Sequence, residues 1–222
     1  MDKFQKYNEV KKLSEKHDNE IYFGHACSLT EAKIHSSKVA DRIRECGYSV
    51  YVASENDDIN DKTKDPTPFD IYLGDVSRMK AAEFMIFNLN GSHQDGTIWE
   101  SGWVCGNNDA HLAIQTAYND VKPYLSHMDK ALADYGIENQ FTSIIERTFK
   151  ELLQEINYKE MIVYSSNERL NNPQFYKGET DVKYGIASAG ANHLVFGGVD
   201  THGKFVGNEE DMITALKEKK GL

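Results

Sequence analysis

Cysteine, proline and net positive charge are all scarce in this 222-residue chain. The three cysteines, Cys27, Cys46 and Cys105, are odd in number and widely spaced. They argue against a disulfide framework and for a reducing compartment, and they lack the CxxC spacing of a zinc site. The net charge is -10, with no basic stripe, which speaks against nucleic acid and anionic membranes as partners. A neutral or cationic small ligand suits that balance. No stretch approaches the roughly 18 apolar residues that span a bilayer, and Met1 to Glu20 has no apolar segment of a signal peptide. The expected location is cytoplasmic. Two of the four prolines, Pro66 and Pro68, share one acidic segment. What is abundant is core material: 40% hydrophobic residues, including 10 Phe and 12 Tyr.

The periodicity predicts a doubly wound α/β fold. Phe4, Tyr7, Val10 and Leu13 recur in a charged leading helix, residues 1–19, expected to lie on the domain or a partner. Residues 20–23 read as a strand ending at Gly24, 30–46 as a helix stopped by Gly47, and 49–53 as a second strand. Residues 54–68 form a long polar loop of the kind that is usually functional. A helix over 70–82, a strand over 84–89, a helix over 97–106 and a strand over 111–116 continue the alternation. That cadence implies parallel βαβ units with helices on both faces of a flavodoxin-like or Rossmann-like sheet. Helices are expected over 124–135 and 141–156. Short strands over 161–165 and 194–197, flanking an irregular stretch, and a last helix over 208–220 read as a C-terminal α+β extension. The domain boundaries that follow are 20–157 for the α/β domain and 158–222 for the extension.

The chemistry concentrates in Asp95-Gly96-Thr97-Ile98-Trp99-Glu100-Ser101-Gly102, just after the apolar run 84–90. Thr97-x-x-Glu100 has the spacing of a capping box, in which Glu100 only satisfies a helix start. The same residues lie at a strand's carboxyl end, where an open sheet has its ligand crevice. Tyr22 ends the first strand at the same edge. Asp75, in the helix before the third strand, has only Arg78 as a basic neighbour on its own helix, and a solvated surface carboxylate is its plainer interpretation. Two or three carboxylates and a tyrosine at one crevice suit acid and nucleophile work at a glycosidic centre.

Ile21-Tyr22-Phe23-Gly24, the acid in the next-but-one helix and Asp95-Gly96-Thr97-x-x-Glu100-x-Gly102 together resemble the nucleoside 2-deoxyribosyltransferase family over roughly residues 20–116. The resemblance implies transfer of 2-deoxyribose between nucleobases with retention at the anomeric carbon. It implies Glu100 as nucleophile, Tyr22 as the group that holds it, Asp75 as proton donor to the departing base, and Asp95 as a contact to sugar or base. Phe23, Gly24 and Gly96 belong to the same substrate-binding elements. Deoxyribonucleosides and free nucleobases are the implied ligands, with no cofactor and no metal, and a homo-oligomer is the implied assembly. The chain departs from the family at Gly24-His25-Ala26-Cys27-Ser28 and in its greater length. Asn139 stands as a candidate counterpart of the asparagine that a neighbouring subunit supplies in the family, and Phe175-Tyr176 as a candidate pocket-closing aromatic pair.

Two rival functions follow. One is an N-glycosidase of the same fold with water as acceptor. The other is a non-catalytic nucleoside-sensing module. The loops after the first and third strands contain neither Arg nor Lys for a phosphate, which favours an uncharged nucleoside. Asp57-Asp58-Ile59-Asn60-Asp61 lacks the glycine and the glutamate of a calcium loop. No histidine pair has metal-ligand spacing. Gly185 to Gly190 lacks the Gly-Lys-Ser/Thr of a phosphate loop. Cys27 has only His25 nearby as a base, which makes a catalytic thiol improbable.

Overall fold

The computed structural model describes residues 2–14, 17–27, 29–90, 95–137, 141–165 and 193–222. These residues divide into two compact units, Met1–Gly102 with Glu160–Leu222, and Trp103–Lys159. The first unit is built on a five-stranded, all-parallel sheet in the order β2-β1-β3-β4-β5. Its strands are β1 (Glu20–Gly24), β2 (Ser49–Val52), β3 (Phe84–Asn88), β4 (Glu160–Tyr164) and β5 (Gly203–Val206). The doubly wound α/β class expected from the cadence is therefore the observed one.

Two of the three interior strands, β1 and β3, are buried along their whole length, which explains their largely apolar runs. One face of the sheet packs Ile21, Phe23, Phe84, Ile86 and Tyr164 against α2 (Thr30–Glu45) and the final helix, α8 (Glu209–Lys220). Val39 and Ile43 of α2 are fully buried there, a contribution of roughly 1.5–3 kcal/mol each. Alternation along the strands sends Tyr22 and Tyr51 to the opposite face, where they meet α4 (Pro68–Ala81) and the start of α5 (Asp95–Asp134). The register sets Tyr22 directly beside Tyr51 on neighbouring strands. The order reverses between β1 and β3, the switch point at which such sheets open a crevice.

Several expectations change. Residues 97–106 and 111–116, read as a helix and a strand, belong to one 40-residue helix, α5. Asn107 and Asn108, which look like a break, donate their side-chain amides to the carbonyls of Asn157 and Lys159 instead of competing for their own backbone. The helix therefore runs through them. Residues 194–197 are helical, within α7 (His193–His202). The region read as a C-terminal extension supplies β4 and β5 and so completes the sheet. The polar loop over 54–68 holds two short 3₁₀ turns and a one-turn helix, α3 (Asp57–Asn60). The leading helix, α1 (Lys3–Leu13), buries only Val10, while Phe4, Tyr7 and Leu13 stay exposed. It meets α4 in part through Lys80 over the Tyr7 ring and Lys6 over the Phe69 ring. In the second unit, α6 (Phe141–Glu155) follows α5, with the Tyr118 and Phe149 rings 5.3 Å apart.

Candidate active site

Tyr22 enters the site from β1 with no solvent exposure. Its hydroxyl donates to Oε1 of Glu100 at 2.7 Å, so a strand and a helix start are joined by one charge-assisted bond. Glu100 is not half of a capping box. The helix already begins at Asp95, and Thr97 lies inside its first turn. The other carboxylate oxygen, Oε2, is buried and makes no hydrogen bond among the described residues. Gly24 explains how it fits: a Cβ there would stand 2.5 Å from Oε2 and 2.5 Å from Cδ1 of Phe87. The end of β1 must be glycine for the carboxylate to be where it is.

Asp75 is not a solvated surface acid. The Tyr51 hydroxyl donates to its Oδ1 at 3.0 Å, and Nδ2 of Asn56 donates to the Tyr51 hydroxyl at 3.0 Å. Arg78, its only basic helical neighbour, is turned elsewhere. Arg78 lies 3.4 Å from buried Glu20, donates to His17 at 3.1 Å and covers the Tyr51 ring at 5.2 Å. The rings of Tyr22 and Tyr51 stack 5.4 Å apart, so the two tyrosines that hold the two carboxylates also support each other.

This environment raises both acids. Burial pushes Glu100 up to about 7, with the Asp75 charge adding to the rise and the Tyr22 bond opposing it. Burial pushes Asp75 up to about 6 against the Tyr51 bond. Tyr22 is raised well above the ordinary phenol range by burial and then by the Glu100 and Asp75 charges. Tyr51 is raised by burial first and by Asp75 second. Both phenols therefore stay protonated and act as donors. Burial and the Glu100 charge push the Cys27 thiol up to about 11, which removes it as a thiolate nucleophile. His25 is lowered by burial and spans the Ala26 carbonyl and the Ser54 hydroxyl, each at 3.0 Å.

The structure thus brings together Tyr22, Asp75, Glu100 and Gly24 from the expected set. Phe23 does not join them, because alternation turns its ring to the opposite face, into the core with Tyr164. Asp95 and Gly96 sit exposed on the first turn of α5, and Asp95 makes no hydrogen bond or ion pair among the described residues. Asn139 and Phe175-Tyr176 lie outside the described residues. Sequence reasoning missed Tyr51. The signal was there in Val50-Tyr51-Val52, which repeats the apolar-Tyr-apolar pattern of Ile21-Tyr22-Phe23 one strand away. It also missed a partly exposed aromatic wall. Phe69 and Tyr72 stack 6.3 Å apart, and Trp99 meets Tyr72 edge-on at 6.1 Å.

No helix among the described residues is long and apolar enough to cross a membrane. The fold and the half-buried acid pair define a parallel α/β protein with two carboxylates near the β1/β3 switch point, and a cavity of about 440 Å³ lies beside them, lined in part by Tyr51, Asn56 and Arg78. No protein-family model matches the chain, and no curated protein does. Its fold is similar to that of a conserved protein from Enterococcus faecalis V583, with a TM-score of 0.54 and 18% identity, over 90% of this chain and 98% of that one. At that identity the likeness concerns the fold alone.

Proposed function

We propose that this protein transfers 2-deoxyribose between nucleobases by a retaining double displacement through Glu100. The observation that carries the reading is the state of the Glu100 carboxylate: one oxygen held by Tyr22, the other buried and without a partner among the described residues, beside a second raised acid. Buried carboxylate oxygens are usually hydrogen-bonded, and Glu100, unlike Glu20 with its Arg78, has no ion pair among the described residues.

In the first step Oε2 attacks the anomeric carbon. The bond from that carbon to the base nitrogen breaks, its electron pair goes to the base, and Asp75 supplies the proton that makes the base a competent leaving group. In the second step a new base attacks the same carbon, returns a proton to Asp75 and releases Glu100. Two inversions give retention. Transfer outruns hydrolysis only where water is kept from the intermediate. Tyr72 and Trp99, one turn before Asp75 and one residue before Glu100, offer exposed rings on which a nucleobase would stack. Asp95, exposed on the first turn of α5, would meet a sugar hydroxyl or a base.

With Glu100 near 7 and Asp75 near 6, the reactive pairing is ionised Glu100 with protonated Asp75. It is one of the two singly protonated forms of the pair. The expected pH profile is a bell centred between about 6 and 7. The test is to incubate the protein with deoxyadenosine, with and without cytosine. Deoxycytidine is the expected product, and Glu100→Gln abolishes it while leaving the fold intact. Free deoxyribose alone would make the protein a hydrolase. Undiminished exchange in Glu100→Gln would remove Glu100 from the mechanism.

A further inference from the structure

We propose that Tyr51, oriented by Asn56, is a positioning residue that fixes which oxygen of Asp75 carries the transferable proton. The inference rests on the reading of Asp75 as the acid, and it begins at a helix cap. Asn56 is the N-cap of α3, and its Oδ1 accepts from the backbone N–H of Asp58 at 3.0 Å. That bond settles the orientation of the amide, because only the oxygen can accept. Nδ2 is then the end that faces Tyr51, and it donates to the phenol oxygen. A phenol has a single proton. With its oxygen accepting from Asn56, the Tyr51 hydroxyl spends that proton on Oδ1 of Asp75. Oδ1 is an acceptor in both charge states, so the acid proton of Asp75 resides on Oδ2.

The Tyr51 ring is held for this task by two neighbours. Tyr22 stacks against it at 5.4 Å, and the Arg78 guanidinium lies over the ring at 5.2 Å. The loop that carries Asn56 is itself docked on the helix that carries Asp75, since a Cβ at Gly74 would come within 3.1 Å of the Ile59 side chain. The chain Asn56, Tyr51, Asp75 therefore runs from the polar loop to the acid through two directed bonds. The other titratable groups in the electrostatic neighbourhood of Asp75 are Tyr22 from β1, Glu100 from α5 and Cys27 from the loop after β1. None of them replaces the donor that Tyr51 provides.

The experiment uses the full chain with Tyr51→Phe and Asn56→Asp. Tyr51→Phe keeps the stacked ring and removes the donor. Asn56→Asp keeps the cap, since Asp caps as well as Asn, but offers a carboxylate that draws the Tyr51 proton away from Asp75. Both variants lose a bond that favours charged Asp75. Its titration, followed by carboxyl-carbon NMR, is expected to move up by about one pH unit. In the exchange assay kcat falls about tenfold with KM little changed. The pH optimum, which belongs to the Asp75–Glu100 pair, moves to higher pH as Asp75 is raised. An Asp75 titration that is the same in Tyr51→Phe as in the natural protein overturns the proposal, whatever the activity does. The two ideas fail separately: if Asp75→Asn keeps full exchange, the acid assignment falls. If Asp75→Asn is dead but Tyr51→Phe titrates normally, only the positioning role falls.

Discussion

Replacing Gly24 by alanine isolates the contact that lets Glu100 lie against the end of β1. Gly24 is not among the residues with positive φ, so its backbone accepts alanine and the whole penalty is steric. The added carbon would meet Oε2 of Glu100 at 2.5 Å and the Phe87 ring at 2.5 and 2.8 Å. Ordinary contacts are about 3.5–4.0 Å, so roughly 1 Å must open. Phe87 is fully buried in a central strand and has nowhere to go. Glu100 moves instead, and a shift of about 1 Å takes its 2.7 Å bond to Tyr22 beyond hydrogen-bond length. Misplacing a reacting group by that much costs on the order of 100-fold in rate, and overpacking costs about 1–3 kcal/mol. The assay is kcat/KM for base exchange beside urea unfolding. Gly47→Ala is the control: φ there is 83°, with no atom within 4 Å of the new carbon. It costs on the order of 1 kcal/mol and leaves exchange intact. The reasoning is refuted if Gly24→Ala keeps exchange within about threefold of the natural protein.

Other perturbations probe different links. Tyr22→Phe removes the bond that favours ionised Glu100, so its titration rises from about 7, exchange at pH 5 falls about tenfold and the optimum moves up. An unmoved optimum would count against the bond. Glu100 is raised from 4.5 to about 7 on folding, so the stability it provides is full below the lower value and lost as pH rises through the upper one. Glu100→Gln should therefore match the natural protein in urea near pH 4 and exceed it by roughly 2–3 kcal/mol at pH 8. Equal stability at pH 8 would mean the carboxylate is not desolvated. Asn108→Ala deletes two buried 2.8 Å bonds to the Lys159 backbone and should cost the Trp103–Lys159 unit about 2–4 kcal/mol. Hydrogen exchange in that unit would report it, and unchanged protection would contradict it.

The parts of the fold legible in the sequence were those with a clean period. The buried runs of β1 and β3 and the stripe of α2 announce themselves, and they fix the sheet edge at which the site lies. The long α5 helix was not legible, because Asn107 and Asn108 are punctuation by composition and ligands to distant backbone by contact. The site divided the same way. Glu100 and Tyr22 stood in a spaced motif, whereas Asp75 gained its meaning from Tyr51, 24 residues away on the edge strand. Phe23 was misplaced by treating adjacent strand residues as neighbours in space, when each strand sends them to opposite faces.

The pairing of Tyr22 with Tyr51 across one rung of the sheet makes the strand spacing a ruler for the chemistry. The two hydroxyls hang from backbones about 4.8 Å apart, a separation that neither helix packing nor loop length can alter. Helices α4 and α5 can therefore drift in sequence while the anchors of their two acids stay fixed. The exposure of this arrangement is register. If β2 slipped by one residue against β1, the sheet would keep its hydrogen bonds, but Tyr51 would turn to the other face and leave Asp75 without its donor. Such a molecule would be folded by most physical measures and chemically silent.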